Sequence, residues 1–197
     1  MPQLFDITNI ITNYGQLGIF IIVFLESGIF FPLPGDSLIF TAGLLAPVLH
    51  FNIIFLTSLV FVAAFGGGIV GYYIGTKLEL LKRHAFFTKI FKQEYIDEAH
   101  DFLEKHGLSA MILSRFVPIV RTFLPIVAGI AHMKYSSFIR YSFFGALIWS
   151  ISFVLSGYYL GQIFPQIHDY LIYVILLVIF LSILPGIIHY FRRKKTL

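Results

Sequence analysis

Apolar positions in this chain fall into three long runs and two broken ones. Residues 51–75, 141–164 and 171–191 are apolar apart from small and hydroxyl-bearing residues, the last run also holding Pro185 and His189. Each reaches the ~20 residues that a helix needs to cross the ~30 Å hydrocarbon layer of a bilayer, so the pattern predicts three transmembrane helices. The broken runs behave differently. Residues 17–25 run into Glu26 and then Phe31-Pro32-Leu33-Pro34-Gly35-Asp36, and apolar character resumes over 37–49. Residues 108–113 and 124–131 flank Ser114-Arg115-Phe116-Val117-Pro118-Ile119-Val120-Arg121 in the same way. At ~1.5 Å of rise per residue, each arm reaches only part way across the bilayer. Both segments therefore predict re-entrant helical hairpins, with Pro32, Pro34, Gly35, Pro118 and Pro125 shaping the tips. Unsatisfied backbone groups are costly in lipid, so the tips are expected to face each other or water.

The two broken runs belong to a repeat. Pro32 matches Pro118, Ala42-Gly43 matches Ala128-Gly129, and Gly71-Tyr72-Tyr73-Ile74-Gly75 matches Gly157-Tyr158-Tyr159-Leu160-Gly161, all displaced by 86 positions. A hairpin plus one span crosses the membrane an odd number of times, so the second copy enters from the opposite side, as in inverted-repeat transporters. The expected fold is an all-α integral membrane protein forming a single membrane domain. Repeat 1 covers about 15–76, a cytoplasmic amphipathic connector 77–106, repeat 2 about 107–162, and a C-terminal transmembrane helix 171–191. In the connector, Ile96, Ala99 and Leu103 form an apolar stripe ending before Gly107, which predicts a helix lying at the cytoplasmic interface.

Composition agrees with lipid surroundings. Of 197 residues, 58% are hydrophobic and 12% charged, against about 25% charged in soluble domains, which excludes a water-soluble globule. Cysteine is absent, removing disulfides, thiolate metal sites and cysteine nucleophiles from consideration. Residues 1–16 carry no Lys or Arg and one acid, Asp6, unlike the basic start of a cleavable signal peptide, so the first apolar stretch is expected to stay in the mature protein. Cytoplasmic loops collect basic residues. With the segment after the first span inside, 12 of the 14 Lys and Arg residues become cytoplasmic, including Arg192-Arg193-Lys194-Lys195, whereas the N-terminus and the 162–170 connection hold none. The C-terminus is thus expected in the cytoplasm, with the first hairpin entering from outside and the second from the cytoplasm.

Glu26, Asp36, Arg115 and Arg121 are the ionisable residues, histidines aside, that this arrangement carries into the membrane. Such residues pair and mark pathways. Two acids and two arginines sum to zero, so a purely structural cluster locking the hairpins is one reading. The other is a polar cavity: Arg115 and Arg121 bind a phosphate through their planar forks, while Glu26 and Asp36 position the arginines, take up protons, or both. Ser114, beside Arg115, and His132, after the second hairpin, are further candidates. The series Gly66-x-Gly68-x-x-Gly71 follows no predicted strand and lies in an apolar span, so it is not a dinucleotide fingerprint. Gly67, Gly71 and Gly75 share a helix face, as do Gly157 and Gly161, and such faces suit internal packing or formation of a homo-oligomer. Seven histidines show no metal-ligand spacing, and no cofactor, metal or nucleic-acid role is called for.

Three motifs carry a family resemblance. Glu26, Pro32, Pro34, Gly35 and Asp36 are followed by Ala42-Gly43; Arg115-Phe116, Pro118, Arg121, Pro125, Ala128-Gly129, Met133 and Phe138 form a second block; Gly145 and Trp149 close the series. Over residues 15–162 the chain resembles the DedA family, also called SNARE-associated or VTT-domain membrane proteins. It departs at Ser142, where the family often has Asn. The resemblance implies a lipid transporter with two opposed re-entrant hairpins, in which Glu26, Asp36, Arg115 and Arg121 are functional. For a bacterial protein it implies an inner-membrane translocase (flippase) that returns undecaprenyl phosphate, the cell-wall carrier lipid, to the inner leaflet, with dependence on the proton motive force. The alternatives are a general phospholipid scramblase, a proton-coupled carrier of small solutes or cations, and a membrane lipid phosphatase. Pro34-Gly35-Asp36-Ser37 faintly resembles the phosphatase tip, but lacks its following arginine.

Overall fold

The computed structural model describes residues 7–28, 35–80 and 93–163. They form six α-helices: α1 (Ile7–Gly28), α2 (Gly35–Leu45), α3 (Ile53–Leu80), α4 (Gln93–Ser114), α5 (Pro118–Ile130) and α6 (Tyr135–Ile163). No strand occurs among the described residues. The tip residues Pro32 and Pro34 and the expected helix over 171–191 lie outside them.

Local chemistry sets the helix ends. Asn52 Oδ1 accepts hydrogen bonds from the Ile54 and Phe55 amides at 3.0 and 3.1 Å, capping the start of α3. A residue before proline is pushed out of the helical region. Val117 accordingly adopts φ −115°, ψ 105°, and α5 restarts at Pro118. The end of α5 is closed by Met133 N–H donating to Ala128 O (3.0 Å) and His132 N–H to Gly129 O (3.3 Å), with His132 at φ 54°. This is a Schellman closure with histidine where glycine is usual. After α2 the same device recurs, with Phe51 N–H bonded to Ala46 O (2.9 Å) and His50 at φ 53°.

Within α3 and α6, Ile53–Leu78 and Tyr135–Ile163 are long and apolar enough to cross a membrane. Ile54 is 74% exposed and Ile163 66%, an outward apolar display that water does not favour. The second hairpin departs from the expected boundaries. α4 runs unbroken through Gly107 to Ser114, so the amphipathic connector and the first arm are one helix. Gly107 is there for space, since a β-carbon would lie 3.0 Å from the Tyr141 ring and 3.1 Å from Met133 Cε. The tip is correspondingly shorter: only Arg115, Phe116 and Val117 lie between α4 and α5, which pack together, and Arg121 is already helical.

The chain divides into two compact units; among the described residues the first gathers 7–23, 35–62 and 150–163, the second 24–28, 63–80 and 93–149. In the first, α2 crosses the end of α6 at glycine: a β-carbon at Gly157 would fall 2.1 Å from Phe40 O, and one at Gly43 would fall 2.3 Å from Val154 O. In the second, α5 meets α3 likewise, with Gly75 against Ile126 O (2.1 Å) and Gly129 against Tyr72 O (2.2 Å). Each crossing joins a short helix to a long one, through the backbone-to-backbone approach that small residues allow. The two differ by one turn. Phe40 and Ile126 are repeat-equivalent, yet Phe40 meets Gly157, the counterpart of Gly71, whereas Ile126 meets Gly75. The second unit's core gathers Leu103, Met111, Ala128 and Phe138 around Tyr72, with Ala99 packed alongside. Tyr72 stacks on Phe138 at 4.5 Å and donates its hydroxyl to Met133 O at 2.6 Å.

Candidate functional site

The second unit brings three of the four predicted charges to one place. Glu26 comes from the last turn of α1, Arg115 from the three-residue turn after α4, and Arg121 from the first turn of α5; all three are at most 2% exposed. Buried charge is costly unless paired and hydrogen-bonded. Arg121 meets that condition: its Nη2 donates to Glu26 Oε1 in a buried ion pair, and its guanidinium carbon lies 4.7 Å from the centre of the Trp149 ring, a cation–π contact.

Arg115 is held otherwise. Its Nη1 donates to Ala64 O and its Nη2 to Ser142 Oγ, each at 3.1 Å. Both acceptors are neutral, and among the described residues no carboxylate pairs with it. Arg121 is near enough to add like-charge repulsion. Arg115 is thus a buried cation held in position by uncharged groups. Such a site is suited to receive an anion with a planar, bidentate face.

The other candidates are placed as follows. Asp36 is buried in the first unit, in the opening turn of α2 beside buried Gly35 and Ser37, where the helix dipole favours a carboxylate. Ser114 is buried, and its hydroxyl donates to Met111 O at 3.1 Å. His132 is exposed and lies at the far end of α5, about 16 Å of helix rise from Arg121. Pro118 opens α5 and Pro125 lies within it, its Cβ 3.2 Å from where a β-carbon at Gly71 would sit. The glycine faces are filled from inside the chain. No group of three or more His, Cys, Asp or Glu side chains capable of holding a metal occurs among the described residues.

Sequence reasoning missed part of this site. The glycine series gives Gly68 no role of its own, yet a β-carbon there would lie 3.0 Å from Arg115 Nη2 and 3.3 Å from Ser142 Oγ; it makes room for the guanidinium. Ser142 entered only as a departure from the family pattern and Trp149 only as a motif residue. The Ala64 carbonyl left no side-chain signal at all. His100, whose Nδ1 bonds to Ala131 O at 2.6 Å, also escaped notice, as a tie between α4 and the end of α5.

The family model for the VTT domain matches residues 33–159. The chain is similar to protein DedA of Escherichia coli K12, 44% identical over 185 residues, covering 90% of this chain and 83% of that protein. Similarity to inner membrane protein YqjA of the same organism is 32% over 157 residues, covering 78% and 71%. Undecaprenyl phosphate transporter A of Staphylococcus aureus is 28% identical over 202 residues, covering 96% and 97%. No solved structure matches.

Proposed function

The chain belongs to the VTT-domain family, the family of the DedA proteins, and from that premise we propose that this membrane protein is a translocase for a polyprenyl phosphate, undecaprenyl phosphate above all. It would return the carrier lipid from the outer to the inner leaflet of a bacterial inner membrane. The observation that carries this reading is Arg115: a guanidinium 1% exposed, oriented by Ala64 O and Ser142 Oγ, with no acid paired to it among the described residues. A lipid phosphate supplies the missing charge, and only the head group has to leave the lipid phase.

Arg121 and Glu26 form the adjustable part. A phosphate reaching Arg121 competes with Glu26 for the same guanidinium, and a proton taken up by Glu26 weakens its hold. Proton uptake and head-group binding are thereby linked, the basis for drive by the proton motive force. Asp36 is assigned a parallel positioning or proton-accepting role. The two glycine crossings, each pairing the arm of one repeat with the long helix of the other, support the inverted-repeat reading, in which the hairpins are re-entrant. The relatives named as an undecaprenyl phosphate transporter and as an inner membrane protein support the substrate and the compartment, and the basic distribution supports a cytoplasmic C-terminus.

The test is lipid binding by the purified protein. Undecaprenyl phosphate should bind saturably, undecaprenol should not, and Arg115→Ala should weaken the former more than about tenfold, the loss of a charge-assisted bidentate contact. Equal binding of undecaprenol would refute a phosphate site. Equal binding of phosphatidic acid would turn the reading to a general phospholipid scramblase, and release of inorganic phosphate from undecaprenyl pyrophosphate would turn it to a phosphatase.

A further inference from the structure

A hollow of about 350 Å³ is lined by residues of α4, α5 and the turn between them. The small residues Ser109 and Ala110 leave the space, and Phe102, Leu113, Val120 and Leu124 wall it. One end is at Ser114 and Val117, the residues on either side of Arg115-Phe116. From Phe102 to Ser114 the hollow follows about 18 Å of helix. Its hydroxyls are turned inward: Ser109 Oγ donates to His106 O at 3.2 Å and Ser114 Oγ to Met111 O at 3.1 Å. What the groove offers along that length is hydrocarbon, and Leu113 on its rim is 65% exposed.

We propose that this groove seats the first isoprene units of the polyprenyl chain whose phosphate is held at Arg115. The inference rests on the phosphate-lipid reading above and adds a second recognition element to it. Proximity argues for this occupant, because the lining includes Ser114 and Val117, which flank Arg115-Phe116 in the chain. In a bilayer such seating gains nothing from excluding water. It comes from close packing, individually weak contacts that sum over a ridged chain, so the groove discriminates by chain shape.

The test uses a polyprenyl phosphate bearing a diazirine on the isoprene unit next to the phosphate, photolysed with the intact protein in lipid nanodiscs. Labelling is expected at Leu113, Val117 and Val120 and should be chased by excess undecaprenyl phosphate. Ser109→Phe, which fills the hollow from an exposed position, should remove that labelling and weaken undecaprenyl phosphate binding about tenfold, while binding of methyl phosphate, which has a head group and no isoprene unit, stays unchanged. Labelling confined to other helices, or full-strength binding by the filled variant, would overturn the groove even with Arg115→Ala abolishing both ligands, and the head-group reading would survive. Retention of both ligands by Arg115→Ala would overturn the head-group reading and the groove with it. The wild-type label map decides the matter even where a filled variant fails to fold.

Discussion

Arg115 and Arg121 are six positions apart and equally buried, yet they are in different chemical situations. Arg121 has a carboxylate and an aromatic ring; Arg115 has a carbonyl and a hydroxyl. Removing one partner of a buried ion pair strands the other charge, at a cost of about 3–5 kcal/mol. Glu26→Gln should therefore lower the unfolding temperature in detergent, and the Glu26→Gln, Arg121→Gln double variant should be less destabilised than the sum of the single changes by at least ~1 kcal/mol. Strict additivity would mean that the pair does not stabilise the fold. At Arg115 the expectation concerns binding. Lysine keeps the charge but loses the fork that reaches Ala64 O, Ser142 Oγ and an anion together, so Arg115→Lys should weaken undecaprenyl phosphate binding by more than tenfold in the same titration. The identities of these charges were legible from the sequence, because an ionisable residue in an apolar run is conspicuous. Their division of labour was not, since it depends on which neighbour each guanidinium reaches, and one of those neighbours is a backbone carbonyl.

At the scale of elements, the returning arms are closed by left-handed histidines and seated by glycine crossings. The left-handed conformation costs a residue with a side chain ~1–2 kcal/mol, and glycine's greater freedom in the unfolded chain offsets about 0.5–1 of that. His50→Gly should therefore raise the unfolding temperature slightly and His50→Val lower it; a fall in both would implicate the imidazole itself. At the crossings the clash is with backbone, 2.1 Å at both Gly75 and Gly157, and backbone cannot swing aside. Gly75→Leu and Gly157→Leu should each reduce the folded yield after detergent extraction, whereas Gly18→Leu, where no atom lies within 4 Å, should not. The periodicity of small residues announced these packing faces. The one-turn shift between them was hidden because it follows from where each arm ends: the left-handed histidine comes seven residues after Gly43 but three after Gly129. The continuity of α4 through Gly107 was hidden for a related reason, since a glycine that marks a helix end and one that admits a neighbouring ring are the same letter.

For the whole molecule, the claim is that a buried cation set in an apolar membrane protein moves a lipid phosphate between leaflets. The apolar runs point to a membrane protein and the motif blocks to the VTT-domain family, to which the chain belongs. The lipid and the drive rest on Arg115 and on the Arg121–Glu26 pair. If the drive is protonic, Glu26→Gln should exchange lipid at a rate unaffected by a pH gradient that accelerates the wild type. The most direct test is leaflet exchange of undecaprenyl phosphate in liposomes containing the purified protein, beside phosphatidylcholine and the Arg115→Ala variant. The account predicts rapid exchange of undecaprenyl phosphate alone, lost in the variant; exchange that is absent from the wild type, or undiminished in a correctly inserted Arg115→Ala protein, would contradict it.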